Sequence, residues 1–159
     1  MNKKGFILIA AIALIALWIL YKVNTAQRLN YDLGLPKEIS VKSGALTFIL
    51  PVVVSNNSSG SINVKSADFD VLTSGNVIGR AEIRSPITIA PKGRTVMPVV
   101  VTISALYGLS SLGSVLTALQ AGKINLTLDG LLYAELFQIP LKESFELQSD
   151  IIKNFAKIF

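Results

Sequence analysis

Residues Phe6 to Tyr21 form an unbroken run without a charge, nearly all of it apolar. No other stretch constrains the fold of this chain so tightly. A helix that is apolar on every side has to be covered, either by a protein core or by lipid. The 16 residues of this run would reach about 24 Å as a helix, most of the way across a hydrocarbon core of about 30 Å. Its Ala, Leu and Ile favour helix, and in lipid the backbone must bond within the segment. Trp18 and Tyr21 stand near its far end, where amphipathic rings favour the membrane interface. The sequence therefore predicts a retained single-pass anchor over residues 1–23, with Phe6, Leu14, Trp18 and Tyr21 as anchoring side chains. Lys3, Lys4, Lys22 and Arg28 are its basic flanks, and no acid precedes Asp32. Lys3 and Lys4 favour an N-terminus in the cytoplasm and the rest of the chain on the non-cytoplasmic side; Lys22 and Arg28 oppose that count. The segment also resembles a type IV pilin leader cut between Gly5 and Phe6, although Ala10 stands where pilins usually carry Glu.

Composition excludes several function classes. Hydrophobic residues make up 51% of the 159 and charged residues 16%, too apolar for a disordered chain. There is no Cys, hence no disulfide, no thiolate chemistry and no lipid-bearing cysteine. There is no His, which removes the commonest general base and metal ligand. The net charge of +5 is concentrated at the N-terminal flank, since residues from Asn24 onward carry twelve bases and ten acids. That distribution lacks the basic stripe that nucleic acid requires.

Residues 24–37 are read as a connector. From Glu38 the periodicity becomes that of strands, alternating over short segments with polar turns between them. "EISVKSGALTFILPVVVSN" gives two short strands or one kinked at Ser43–Gly44, with Pro51 marking an edge or bulge. Asn56 to Gly60 form a turn, and a register change is expected near Ser66–Ala67. Further turns fall at Ser74–Gly75–Asn76 and Pro91–Gly93, and the apolar run Val96 to Ile103 suits a central strand. Leu109, Leu112, Leu116 and Leu119 form one helical stripe near 105–121, closed by Gly122. Ile124, Leu126 and Leu128 then share a strand face, and "LLYAELFQIPLKESFELQS" gives the last strands. The tail, 149–159, is amphipathic at helical spacing; Phe155, Ile158 and Phe159 are candidate contacts with a partner or with the domain itself. The class expected is all-β with a minor helix, an immunoglobulin- or fibronectin-like β-sandwich over 38–148 preceded by a transmembrane helix.

The order of these segments resembles the water-stress and hypersensitive-response domain, the type 2 late embryogenesis abundant family, in a membrane-anchored bacterial or viral form. The resemblance rests on "LTFILPVVVSNNSSGSINVKSADFDVLTSGNVIGRA", "ITIAPKGRTVMPVVVTIS", "ALYGLSSLGSVLTALQAGKINLTLDG" and "FQIPLKESFEL", and runs from Ile39 to Leu147. It implies a seven-stranded sandwich with a helix between late strands, no enzymatic activity and ties to stress tolerance. Asn56, Gly79, Pro98, Gly122 and Gly130 would be structural positions at turns and strand ends.

Three functions are weighed. The first is a non-enzymatic, membrane-anchored scaffold that binds a protein partner or its own copies. The second is a subunit of a repeating assembly such as a membrane-containing virion or a pilus-like fibre. The least favoured is a hydrolase using two converging carboxylates among Asp68, Asp70, Asp129, Glu135 and Glu143, all read as solvent-facing. No cofactor or metal site is expected. The lipid bilayer is the expected partner of the N-terminal helix, and nucleic acid is not expected to bind.

Overall fold

In the computed structural model the described residues are 3–43, 45–104, 121–135 and 137–148, with side chains from residue 11 onward except 41 and 147–148. The helix expected near 105–121 and the tail 149–159, with Phe155, Ile158 and Phe159, fall outside them.

The N-terminal segment is helical. Helix α1 runs Lys3–Ala26, 24 residues and about 36 Å at 1.5 Å per residue. It passes the expected boundary at residue 23 because its last turn docks on the strands. It closes with tight backbone bonds, Gln27 N–H to the Val23 carbonyl and Arg28 N–H to that of Thr25. Between Ala11 and Leu20 its side chains are exposed on every side; Leu14 is 66% and Leu20 64% accessible. Among the described residues no helix is long and apolar enough to cross a membrane.

Among the described residues nine strands follow: β1 Leu29–Leu33, β2 Lys37–Lys42, β3 Ala45–Asn56, β4 Ile62–Thr73, β5 Asn76–Ile83, β6 Ile87–Ile89, β7 Gly93–Ser104, β8 Lys123–Ala134 and β9 Phe137–Gln148. The segment read as a connector thus contains the end of α1 and a paired strand, β1. The strands do not form two separate sheets. Hydrogen bonding runs continuously in the order β1-β3-β7-β5-β4-β8-β9, with β2 also on β3 and β6 also on β4. Strand β5 pairs with both β4 and β7, so what was expected as a sandwich is one sheet wrapped nearly into a barrel.

Alternation builds the core. In β3 every even residue from Leu46 to Asn56 is buried. In β4 the buried set is Ile62 and Val64, then Ala67, Phe69, Val71 and Thr73, and the switch of parity coincides with the register shift between Val64 and Ser66. This bulge is where the sequence predicted a change of register. Ile124, Leu126 and Leu128 share the buried face of β8 as expected. Strand β7 is central, flanked by β3 and β5. Ser74 and Gly75, both at positive φ, make the two-residue turn between Thr73 and Asn76.

Pro51 lies neither at an edge nor in a bulge. It sits directly opposite Pro98 in an unshifted β3–β7 ladder. Neither proline has an N–H, so these two form a non-hydrogen-bonded pair whose polar groups point away from each other. The Gly34 N–H to Pro51 carbonyl bond, 2.8 Å, shows Pro51 facing the β1 side. There β2 pairs only as far as Ile49 and β1 begins at Val52, so no ladder donor is needed. Gly79 and Gly130 likewise lie within strands rather than at turns or strand ends.

Candidate functional site

The connections from β3 to β4 and from β6 to β7, which join strands that do not pair with each other, and the β8–β9 hairpin turn gather at one pole of the wrapped sheet, and α1 reaches the domain there. Lys22, one turn before the end of α1, is the centre of the contact. Its Nζ donates to the Ser61 carbonyl at 2.6 Å and to Glu135 Oε1 at 3.1 Å. Both side chains are largely out of water, 11% and 15% exposed. The same Glu135 oxygen accepts from Asn63 Nδ2 at 3.1 Å, and Asn63 Oδ1 accepts from the Thr88 hydroxyl at 2.7 Å. The Glu135 N–H donates to the Asn63 carbonyl, which holds this residue at positive φ in the turn between β8 and β9. Lys22 also lies 5.8 Å from the centre of the Trp18 ring, within cation–π range.

A second set of contacts seats the helix on the β3–β4 turn. Asn56 is buried; its Nδ2 donates to the Gly60 carbonyl and its Oδ1 accepts from the Ser58 N–H and hydroxyl. This closes the turn in the way Asn side chains mimic backbone. The Tyr21 hydroxyl lies 3.4 Å from Ser59 Oγ. A Cβ on Gly60 would stand 2.8 Å from the Tyr21 hydroxyl and 2.9 Å from Thr25 Oγ1, so the close seating depends on glycine. The Lys92 N–H donates to the Ser58 carbonyl at 2.8 Å, tying the β6–β7 turn to the same pole.

The side chains singled out in the sequence divide accordingly. Leu14, Trp18 and Tyr21 are exposed along α1. Phe6, Lys3 and Lys4 belong to the helix, with side chains outside the described set. Arg28 is exposed just beyond it. Lys22, expected as a flank facing headgroups, is turned into the protein instead. Of the acids, Asp68 sits loosely by Arg80 at 3.6 Å, and Asp129 bonds Lys142 at 2.8 Å with Asp70 opposite it across the strands. Among the described residues no group of three potential metal ligands occurs. Sequence reasoning missed the Lys22–Glu135 pair because its members are 113 residues apart. A trace was present in Glu135, a single acid within "LLYAELF". The chain turns at Glu135, which places Tyr133 on β8 and Phe137 on β9.

On β1, the Tyr31 hydroxyl is buried without a hydrogen-bond partner among the described residues. Burial, with the Glu143 carboxylate adding to it, pushes this phenol up to about 12. Below pH 10 folded and unfolded chains both keep the proton; above it the unfolded chain releases it first. Stability is therefore expected to fall between about pH 10 and 12, by about 1–2 kcal/mol since Tyr31 is only partly buried. Tyr31→Phe should abolish that loss and leave neutral-pH stability equal or higher. Urea unfolding of both proteins at neutral and alkaline pH measures this, and equal alkaline losses would overturn it.

The sequence profile described as "Late embryogenesis abundant protein" matches residues 52–145, more than half of the chain. The chain belongs to the late embryogenesis abundant family. The match begins within β3 and ends within β9, so this late embryogenesis abundant protein carries Glu135 inside the family region and Lys22 outside it. Two solved structures share the fold. The solution structure of AT1g01470 from Arabidopsis thaliana is 18% identical, covering 74% of this chain and 80% of that one, with a TM-score of 0.57. That of At2g46140.1, described as a late embryogenesis abundant (LEA) protein, is 15% identical over 92% of this chain and 85% of that one, with a TM-score of 0.51. At these identities the likeness is one of fold alone. No curated protein matches the chain.

Proposed function

We propose that this late embryogenesis abundant protein is a non-enzymatic, stress-related binding scaffold tethered to a bilayer by α1, its β-domain on the non-cytoplasmic side. Family membership supports the stress-related, non-catalytic part. The tether rests on one observation: α1 exposes Ile12, Leu14, Ile15, Leu17 and Leu20 in all directions while its C-terminal part is docked through the polar contacts of Lys22. Removing five such side chains from water is worth roughly 10 kcal/mol, at about 1.5–3 kcal/mol each. In the sequence the uncharged run continues back to Phe6, giving lipid a longer segment to cover. Lys3 and Lys4 favour this orientation, and Lys22 and Arg28 on the other flank count against it.

Membrane fractionation of cells expressing the full chain tests the tether. The protein is expected to stay with membranes through alkaline carbonate and high salt, to leave them only in detergent, and to have its domain digested by protease added from the non-cytoplasmic side. Recovery of the intact chain in a detergent-free wash would refute the tether.

A further inference from the structure

The joint does more than attach a helix to a domain: it selects which pole of the domain meets the bilayer surface, and that pole is basic. Asn56, at the end of β3, lies opposite Leu29 of β1 on one side and Gly93 of β7 on the other. With strands about 4.8 Å apart, Leu29 and Gly93 stand about 10 Å from each other. Arg28 directly precedes the first, and Lys92 and Arg94 flank the second. All three are exposed. Their position relative to α1 is fixed by bonds, because the Lys92 N–H holds Ser58, and the adjoining Ser59 and Gly60 are where Tyr21 and Thr25 pack.

The acids at this pole offset little of that charge. Glu135 is taken up by Lys22. Asp32 approaches Arg94 only at 3.8 Å, with both side chains mostly in water, a contact that counter-ions screen. The turns at Ser43 and at Ser74–Gly75 are at the opposite pole.

We propose that Arg28, Lys92 and Arg94 form a collar around the base of α1 that binds the phosphate headgroups of anionic lipids. The proposal rests on α1 being the tether. With Tyr21 at the interface, the helix rises about 7 Å more from Lys22 to Ala26. That brings Arg28 and the β6–β7 turn to the outer part of the headgroup layer, which is about 5–8 Å deep, and within a Debye length of its charge. A rigid joint, rather than a flexible linker, is what makes the encounter permanent.

Full-length protein reconstituted into lipid nanodiscs tests this by amide hydrogen exchange at Asn57–Ser61 and Lys92–Arg94. Discs containing phosphatidylglycerol should slow exchange there roughly fivefold relative to phosphatidylcholine alone, with the difference collapsing in high salt. The combined variant R28Q, K92Q and R94Q should exchange like wild type in neutral discs, which controls for folding, and should lose the anionic effect. Equal exchange in both discs, or protection that survives the three substitutions, would overturn the collar while leaving the tether standing. Protection reproduced in neutral discs by inorganic phosphate would reassign the pole to a soluble anion and overturn the lipid assignment. A chain that enters neither disc would remove the tether itself, and the collar with it.

Discussion

Replacing Gly130 with alanine is expected to destabilise the domain by about 3 kcal/mol, at the upper end of what overpacking does. Gly130 sits inside β8, opposite Phe69 of β4 and Leu141 of β9. A Cβ there would run into the Asp68 carbonyl oxygen and stand 2.7 Å from the Phe69 Cα and 2.9 Å from its ring. Most of that obstruction is backbone, so a change of rotamer does not relieve it, and β4 would have to move away from β8. The core side chain Phe69 would move with it. Gly75 is the informative comparison. It has open space around it but φ +81, so Gly75→Ala carries only a conformational cost of about 1 kcal/mol. Urea denaturation of the two variants should give clearly separated midpoints. If Gly130→Ala were no worse than Gly75→Ala, the close approach of β4 and β8 would be wrong. Gly79 poses the same problem against the Thr102 carbonyl and the Ile103 Cα of β7.

Breaking the joint by one partner at a time should cost more than removing it whole. Lys22→Met leaves the Glu135 carboxylate in a site only 15% exposed, with Asn63 as its remaining side-chain donor. Uncompensated buried charge typically costs 3–5 kcal/mol; residual solvent access lowers the expectation here to about 2–3 kcal/mol. Glu135→Leu should cost a similar amount by stranding the ammonium, although the Ser61 carbonyl still accepts from it. The double variant should lie nearer to wild type than either single one, because two apolar side chains replace two desolvated charges. A double-mutant cycle in detergent, read by chemical denaturation, should give a coupling of about 3 kcal/mol. Limited trypsin digestion at Arg28 should accelerate in the single variants as the last turn of α1 lifts from the β3–β4 turn. Additive effects, with unchanged cleavage, would mean that the pair does not hold the joint.

These two sites also mark how far the sequence could be read. Alternation in Leu46–Asn56 and in Ile124–Leu128 named the buried faces correctly, because a period of two is a local property that neighbours in sequence share. The Val64–Ser66 bulge left its trace as a break in that period. The asparagine turn and the Ser74–Gly75 turn were likewise visible, since both depend on residues with particular backbone freedom. Pro51 misled for a comparable reason. Proline reports only that its own donor is missing, whereas the gap between β1 and β2 that makes this harmless is formed by other strands.

The candidate site was largely illegible. Lys22 had the properties of a membrane flank and Glu135 those of a solvated strand acid, and each local reading was reasonable taken alone. Their pairing needed α1 to continue to Ala26 and β8 to turn back at Glu135, which brings together residues more than a hundred positions apart.

What the sequence determined by itself was the division of the chain: an uncharged apolar segment at one end, then half-buried strands separated by turns, with neither histidine nor cysteine for chemistry. Hydrophobic period and turn propensity act over a few residues, so they can be read without knowing the fold. Only the tertiary structure decided that the strands join into one wrapped sheet, that Gly79 and Gly130 serve close backbone approach, and that Lys22 is spent inside the joint. Those outcomes depend on which distant backbone or charge arrives alongside, and pairing of that kind leaves almost no local mark.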